Sequence, residues 1–123
     1  MAKFCHDDIL DAPADALIAA ADRLVLTSAQ PADFAAVAGV ALADVIVDAG
    51  DFAKANGDAG GRKVTVAAQA DVPVDASGSA THLCLVDDGG SKLLYVTTCP
   101  AQAVAAAGTV NIGAWDIEFG DPV

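Results

Sequence analysis

With 123 residues the chain is the size of one ordinary domain and can bury a single core. Its 17 acidic residues against 6 basic ones give a net charge of −11, which repels nucleic-acid phosphates and anionic lipid headgroups alike. Hydrophobic residues make up 54% of the chain but aromatics only 5%. Alanine dominates, so each buried side chain contributes little apolar area and stability is expected to lean on partner subunits.

The first residues carry Lys3 but no apolar run, because His6, Asp7 and Asp8 follow at once. That pattern is neither a secretory signal nor a membrane span, and it predicts synthesis in a cytoplasm with no membrane partner. From Asp11 to Leu24 the apolar residues Ala14, Leu17, Ile18, Ala21 and Leu24 recur at helical steps. Asp11 is the expected cap, with Pro13 in the first turn where its missing amide hydrogen has no helical partner. This is the one helix the sequence predicts. Leu24 to Thr27 reads as a short apolar strand, and 35–47 as an apolar stretch that turns to strand at its end.

Turn clusters at 48–51 and 56–61 bracket a short strand at Phe52 to Lys54. Beyond them Lys63 to Ala67 alternates, Val72-Pro73-Val74 reads as an edge or a strand start, and Thr81 to Val86 is apolar and β-branched. Asp87-Asp88-Gly89-Gly90 has the composition of a tight hairpin whose central residues take positive φ, with Lys92 to Thr98 as the returning strand and Pro100 as its end. In the last strand, Thr109 to Phe119, the alternation shifts after Ala114, which predicts a bulge near Gly113. These elements predict a mainly β fold, an antiparallel β-sandwich or barrel with one N-terminal helix. We read 1–123 as one domain, with an N-terminal segment and helix over 1–24 and a β-rich body over 25–123.

Candidate chemistry is sparse. Cys5 beside His6 offers a nucleophile and a base, but sequence neighbours seldom reach dyad geometry, and His6 is expected to cap the helix. His82 falls in a strand pattern, where a satisfied core or cross-strand histidine is expected. Asp44, Asp48, Asp51 and Asp58 lack the spacing of a calcium loop, and like Asp87 and Asp88 they read as turn carboxylates. Gly57, Gly60 and Gly61 before Arg62 and Lys63 resemble a phosphate cradle, but a strand follows instead of a helix start. Three cysteines (Cys5, Cys84 and Cys99) with no CxxC spacing predict neither a disulfide framework nor a zinc site. No catalytic, cofactor or metal site is predicted. The aromatics stand singly among aliphatics, as core or interface anchors do, and do not interleave with basic residues.

Several stretches, Cys5 to Ala12, Ala41 to Asp44, Gly61 to Ala67, Val74 to His82, Lys92 to Thr98 and Val110 to Ile117, give the chain a likeness to known proteins along most of its length. On them it resembles the small virion structural proteins of tailed bacteriophages. Pro13 and the extra alanines of the helix depart from that pattern.

The resemblance implies a non-catalytic, β-sandwich particle protein made in the host cytoplasm and located in the virion. Among positions in the particle we expect a capsid decoration (cement) protein, because an acidic face suits the outer shell away from packaged DNA. Its partners would then be the major capsid protein and itself, as a homo-oligomer such as a trimer. Tail or head-fibre component and carbohydrate-binding adhesin, with Trp115 or Tyr95 as sugar platform, are the alternatives. The expected interface comprises Phe4, Cys5, His6, Ile9, Leu10 and Trp115, with Met1 to Ala12 making intersubunit contacts.

Overall fold

The computed structural model describes residues 4–58 and 60–119. In chain order these form α1 (Asp7–Ala20), β1 (Arg23–Thr27), α2 (Phe34–Val40), β2 (Ala41–Ile46), β3 (Phe52–Asn56), β4 (Arg62–Val66), β5 (Gln69–Pro73), β6 (Gly78–Asp87), β7 (Lys92–Val104), β8 (Thr109–Ile112) and β9 (Trp115–Phe119). A 3-10 turn at Ala49–Asp51 separates β2 from β3. All strand pairing is antiparallel: one sheet is ordered β2-β1-β6-β7, a second β3-β4-β9, and a two-stranded ribbon joins β5 to β8. The protein is therefore mainly β and sandwich-like, and it is not a closed barrel.

Alternation places the core. Leu24 and Leu26 of β1 and Leu83 and Leu85 of β6 point into the main core, where they meet Val64 and Val66 of β4, Val72 of β5, Val110 and Ile112 of β8 and Ile117 of β9. The opposite faces of the same two strands carry Val25, Cys84 and Val86 into a second cluster completed by Val37, Phe34, Leu93 and Val96. Val37 and Phe34 belong to α2, a helix additional to the one expected from the sequence. Asp33 caps it by accepting the Ala36 amide at 2.9 Å, and its seven residues cover a sheet face that water would otherwise reach.

Helix α1 starts earlier than the expected cap at Asp11, because His6 Nδ1 accepts the Asp8 amide at 3.1 Å. Asp7 and Asp8 then sit in the first turn, where the helix dipole favours negative charge. Pro13 consequently lies inside the helix, not in its first turn; it is on the exposed side, where water can satisfy the carbonyl left without a partner. The helix ends at Ala20 because the Asp22 amide is taken by the Val86 carbonyl of β6, which draws Leu24 into β1 instead.

Three further expectations are corrected. Pro100 does not end β7: the strand continues to Val104, and the register with β6 slips between the His82–Thr98 and Ala80–Gln102 pairs, so the proline sits in a bulge of an edge strand where no ladder bond is lost. The shift near Gly113 is a change of sheet, since β8 pairs with β5 and β9 with β4. In the turn between β6 and β7 the positive φ belongs to Ser91, at 56°, and to neither glycine of the Asp88-Gly89-Gly90 run. That turn is held instead by the Asp22 carboxylate, which accepts the Asp88 and Gly89 amides at 2.8 and 3.3 Å.

Ser91→Gly should relieve the left-handed strain and raise stability by about 1 kcal/mol, measured as a shift in the urea midpoint at unchanged slope. Gly57→Ala should act in the opposite direction, because a Cβ there would collide with the Gly60 carbonyl across the turn between β3 and β4.

Candidate functional site

Helix α1 is fixed to the outside of β3 and β4 by its Ala14, Leu17 and Ile18 stripe. Two ion pairs pin its edges, Asp11 to Arg62 at 2.9 Å and Asp15 to Lys54 at 2.6 Å. With that stripe turned inward, the remaining apolar residues of the segment face solvent: Phe4 is 83% and Ile9 65% exposed. Cys5 and Leu10 are half-buried, and His6 is exposed while it caps the helix, with the Phe4 ring edge-on to it at 6.4 Å. The structure thus brings Phe4, Cys5, His6, Ile9 and Leu10 to one end of the molecule. Residues 1–3 of the same expected interface lie outside the described residues.

Trp115, the sixth expected interface residue, stands apart from them. It is half-buried, stacks on Tyr95 with ring centroids 6.0 Å apart and packs against the main core. It borders a cleft of about 360 Å³ floored by the core residues Leu26, Ala80, Leu83, Val110 and Ile112 and walled by the 97–102 stretch of β7. The Trp115 Nε1 donor is buried without an acceptor. Nothing in the sequence pattern marks this cleft as a cleft, because every floor residue alternates as a core residue should.

The other weighed constellations are dispersed. Asp44 holds Arg23 at 2.6 Å, Asp48 and Asp51 cap the 3-10 turn reciprocally, and Asp58 pairs with Lys63 at 2.9 Å. No group of three or more His, Cys, Asp or Glu among the described residues is placed to hold a metal ion. Arg62 and Lys63 are likewise committed, to Asp11 and Asn56 and to Asp58 and Asp116, so the glycine turn presents no cation pair to a phosphate. His82 lies on the central strand β6 with its Nδ1 2.8 Å from the Thr81 hydroxyl. No helix among the described residues is long and apolar enough to cross a membrane.

Burial pushes the Cys84 thiol up, only partly offset by its contact with Thr27, and burial raises Cys99 as well. Both are therefore protonated at neutral pH. The Thr65 hydroxyl, donating to Asp116 at 2.6 Å, and then Lys63 hold the Asp116 carboxyl below the usual range. Asp75 shifts the other way through its hydrogen bond with Asp44. Comparison of the chain with protein-family models, curated proteins and solved structures finds no match.

The depressed carboxyl of Asp116 contributes stability that is complete above the ordinary aspartate value of about 3.9. It is lost as pH falls through the lower value in the fold. Asp116→Asn should therefore flatten the acid limb of a Tm-against-pH curve and leave its shape at neutral pH unchanged. Separately, Arg62→Ala should speed amide exchange along α1 well before it affects β1 and β6, as read by hydrogen-exchange mass spectrometry.

Proposed function

We propose that this chain is a non-catalytic structural subunit of a tailed-phage virion, a capsid decoration protein that binds the outer face of the head and stabilises it through intersubunit contacts. The observation that carries the reading is the end of the molecule formed by Phe4 and Ile9, large apolar side chains left in solvent on a small and strongly acidic body. Isolated exposed apolar residues are ordinary, but two on one rigid helix entry, beside half-buried Leu10, form a patch of the kind that marks a protein partner. A net charge of −11 keeps such a protein on the outside of a DNA-filled shell.

In this reading the mechanism is energetic. Each copy buries the Phe4 and Ile9 patch at a junction between major capsid protein subunits, so parting those subunits also requires re-exposing it. Burying a Phe or Ile side chain is worth roughly 1.5–3 kcal/mol, and many copies multiply a modest gain over the shell. The alternative reading as a glycan adhesin asks for an aromatic ring lying flat in solvent. Stacking of Trp115 on Tyr95 and its packing against the core favour an anchoring role instead.

Mixed with undecorated heads of a tailed phage that carries this protein, the purified chain should pellet with the particles at a fixed copy number per capsomer. A Phe4→Ser, Ile9→Ser double variant should fold normally, because both residues are exposed, yet bind at least tenfold more weakly. Full occupancy by that variant would overturn the interface assignment, and a wild-type chain that stays in the supernatant would overturn the decoration reading.

A further inference from the structure

The three strands around the Trp115 cleft are each paired on one side only: β7 bonds to β6, β8 to β5 and β9 to β4. Each consequently presents a free row of backbone amides and carbonyls along its other edge, the arrangement that accepts an added strand. The floor between them is the hydrophobic core itself, open through Leu26, Leu83, Val110 and Ile112. Backbone edges over an apolar floor select an extended peptide that carries an apolar side chain.

Charge narrows the donor. From Leu93 to Trp115 the chain contains no charged residue, although its net charge is −11. Most of the cleft wall comes from that stretch, including Thr97, Cys99, Pro100 and Gln102. Copies of so acidic a protein repel one another over most of their surface, and this neutral face is where approach costs least.

The same molecule carries a matching piece. Phe4, 83% exposed, precedes α1 on an extended backbone, with His6 at φ −66° and ψ 146°. It does not face its own cleft. Asp11 binds Arg62 and Asp15 binds Lys54, the partner of Val64, so α1 begins at the Arg62 end of β4 and runs toward the Val66 end. Trp115 pairs with Val66, whereas Phe119 pairs with Arg62. At ~3.3 Å per residue the arm therefore starts roughly 13 Å of strand away from the cleft and points away from it.

We infer that the N-terminal arm of one copy docks as an added strand in the Trp115 cleft of a second copy, with Phe4 over the Leu26, Leu83 and Ile112 floor and an arm carbonyl accepting from Trp115 Nε1. The contact is head-to-tail, so repeated application closes a ring where the rotation permits and places every arm in a neighbour's cleft. This deepens the assembly reading by naming how copies join.

Trp115 is the only tryptophan, so its fluorescence reports the cleft directly. Sedimentation velocity of the purified chain, without capsids, should show concentration-dependent assembly accompanied by a blue shift of Trp115 emission. Phe4→Ala should weaken assembly roughly tenfold or more with an unchanged far-UV spectrum. A peptide of residues 1–12 should shift the emission of the Phe4→Ala protein saturably, and the same peptide with Phe4→Ser should not. Thr97→Arg, in the wall of the cleft, should abolish the peptide response. A wild-type chain that stays monomeric with constant emission overturns the inference, as does assembly that survives Phe4→Ala or an oligomer whose formation leaves Trp115 emission unmoved. Because no capsid enters the assay, its failure leaves the decoration reading to be decided by particle binding.

Discussion

Strands β1 and β6 lie side by side with Leu24 opposite Leu85, Val25 opposite Cys84 and Leu26 opposite Leu83, and each strand is buried on both faces. Everything else is attached to this pair. The inward leucines hold β4, β5, β8 and β9 around the main core, and the outward valines and Cys84 hold α2. A backbone sunk this deep must satisfy its polar groups within the ladder, which is why both strands sit at the centre of their sheet. The turn that follows β6 is tied back to the chain just before β1 by Asp22, so the pair is closed at that end by a carboxylate as well as by packing.

The few cations work as internal fasteners. Arg23 joins Asp44 of β2 to Asp88 of the turn after β6, Lys54 and Arg62 hold α1 to the second sheet, and Lys63 links Asp58 to Asp116. Each spans two elements, so positive charge is spent on tertiary structure. The surplus carboxylates are left at turns, caps and surface, and they give the exterior its sign. Such exposed pairs are individually weak, and their value here is to orient elements whose alanine-rich faces grip poorly.

Much of this was legible in the sequence. The period of Ala14, Leu17 and Ile18 marks α1, and the continuous runs Leu24 to Thr27 and Leu83 to Val86 mark the doubly buried strands. What escaped depended on partners distant in sequence. The end of α1 is set by a Val86 carbonyl; α2 is too short to show a period; and Pro100 is tolerated only because β7 is an edge. Phe4 and Ile9 were readable as interface candidates because they fall off the buried stripe of α1. The Trp115 cleft was not, since a core residue and a core residue at an opening have the same alternation; the uncharged run from Leu93 to Trp115 is the signal that marks it.

Cys84 sits at the middle of the β1 and β6 pair, fully buried and with its thiol proton held by burial. A thiol reagent reaches it only when the two strands part, because both faces of the sheet are covered there. The chain thus carries its own gauge of opening at the point on which the whole architecture turns: the rate at which Cys84 is modified, set against the rate for half-buried Cys5, measures how often the centre comes undone.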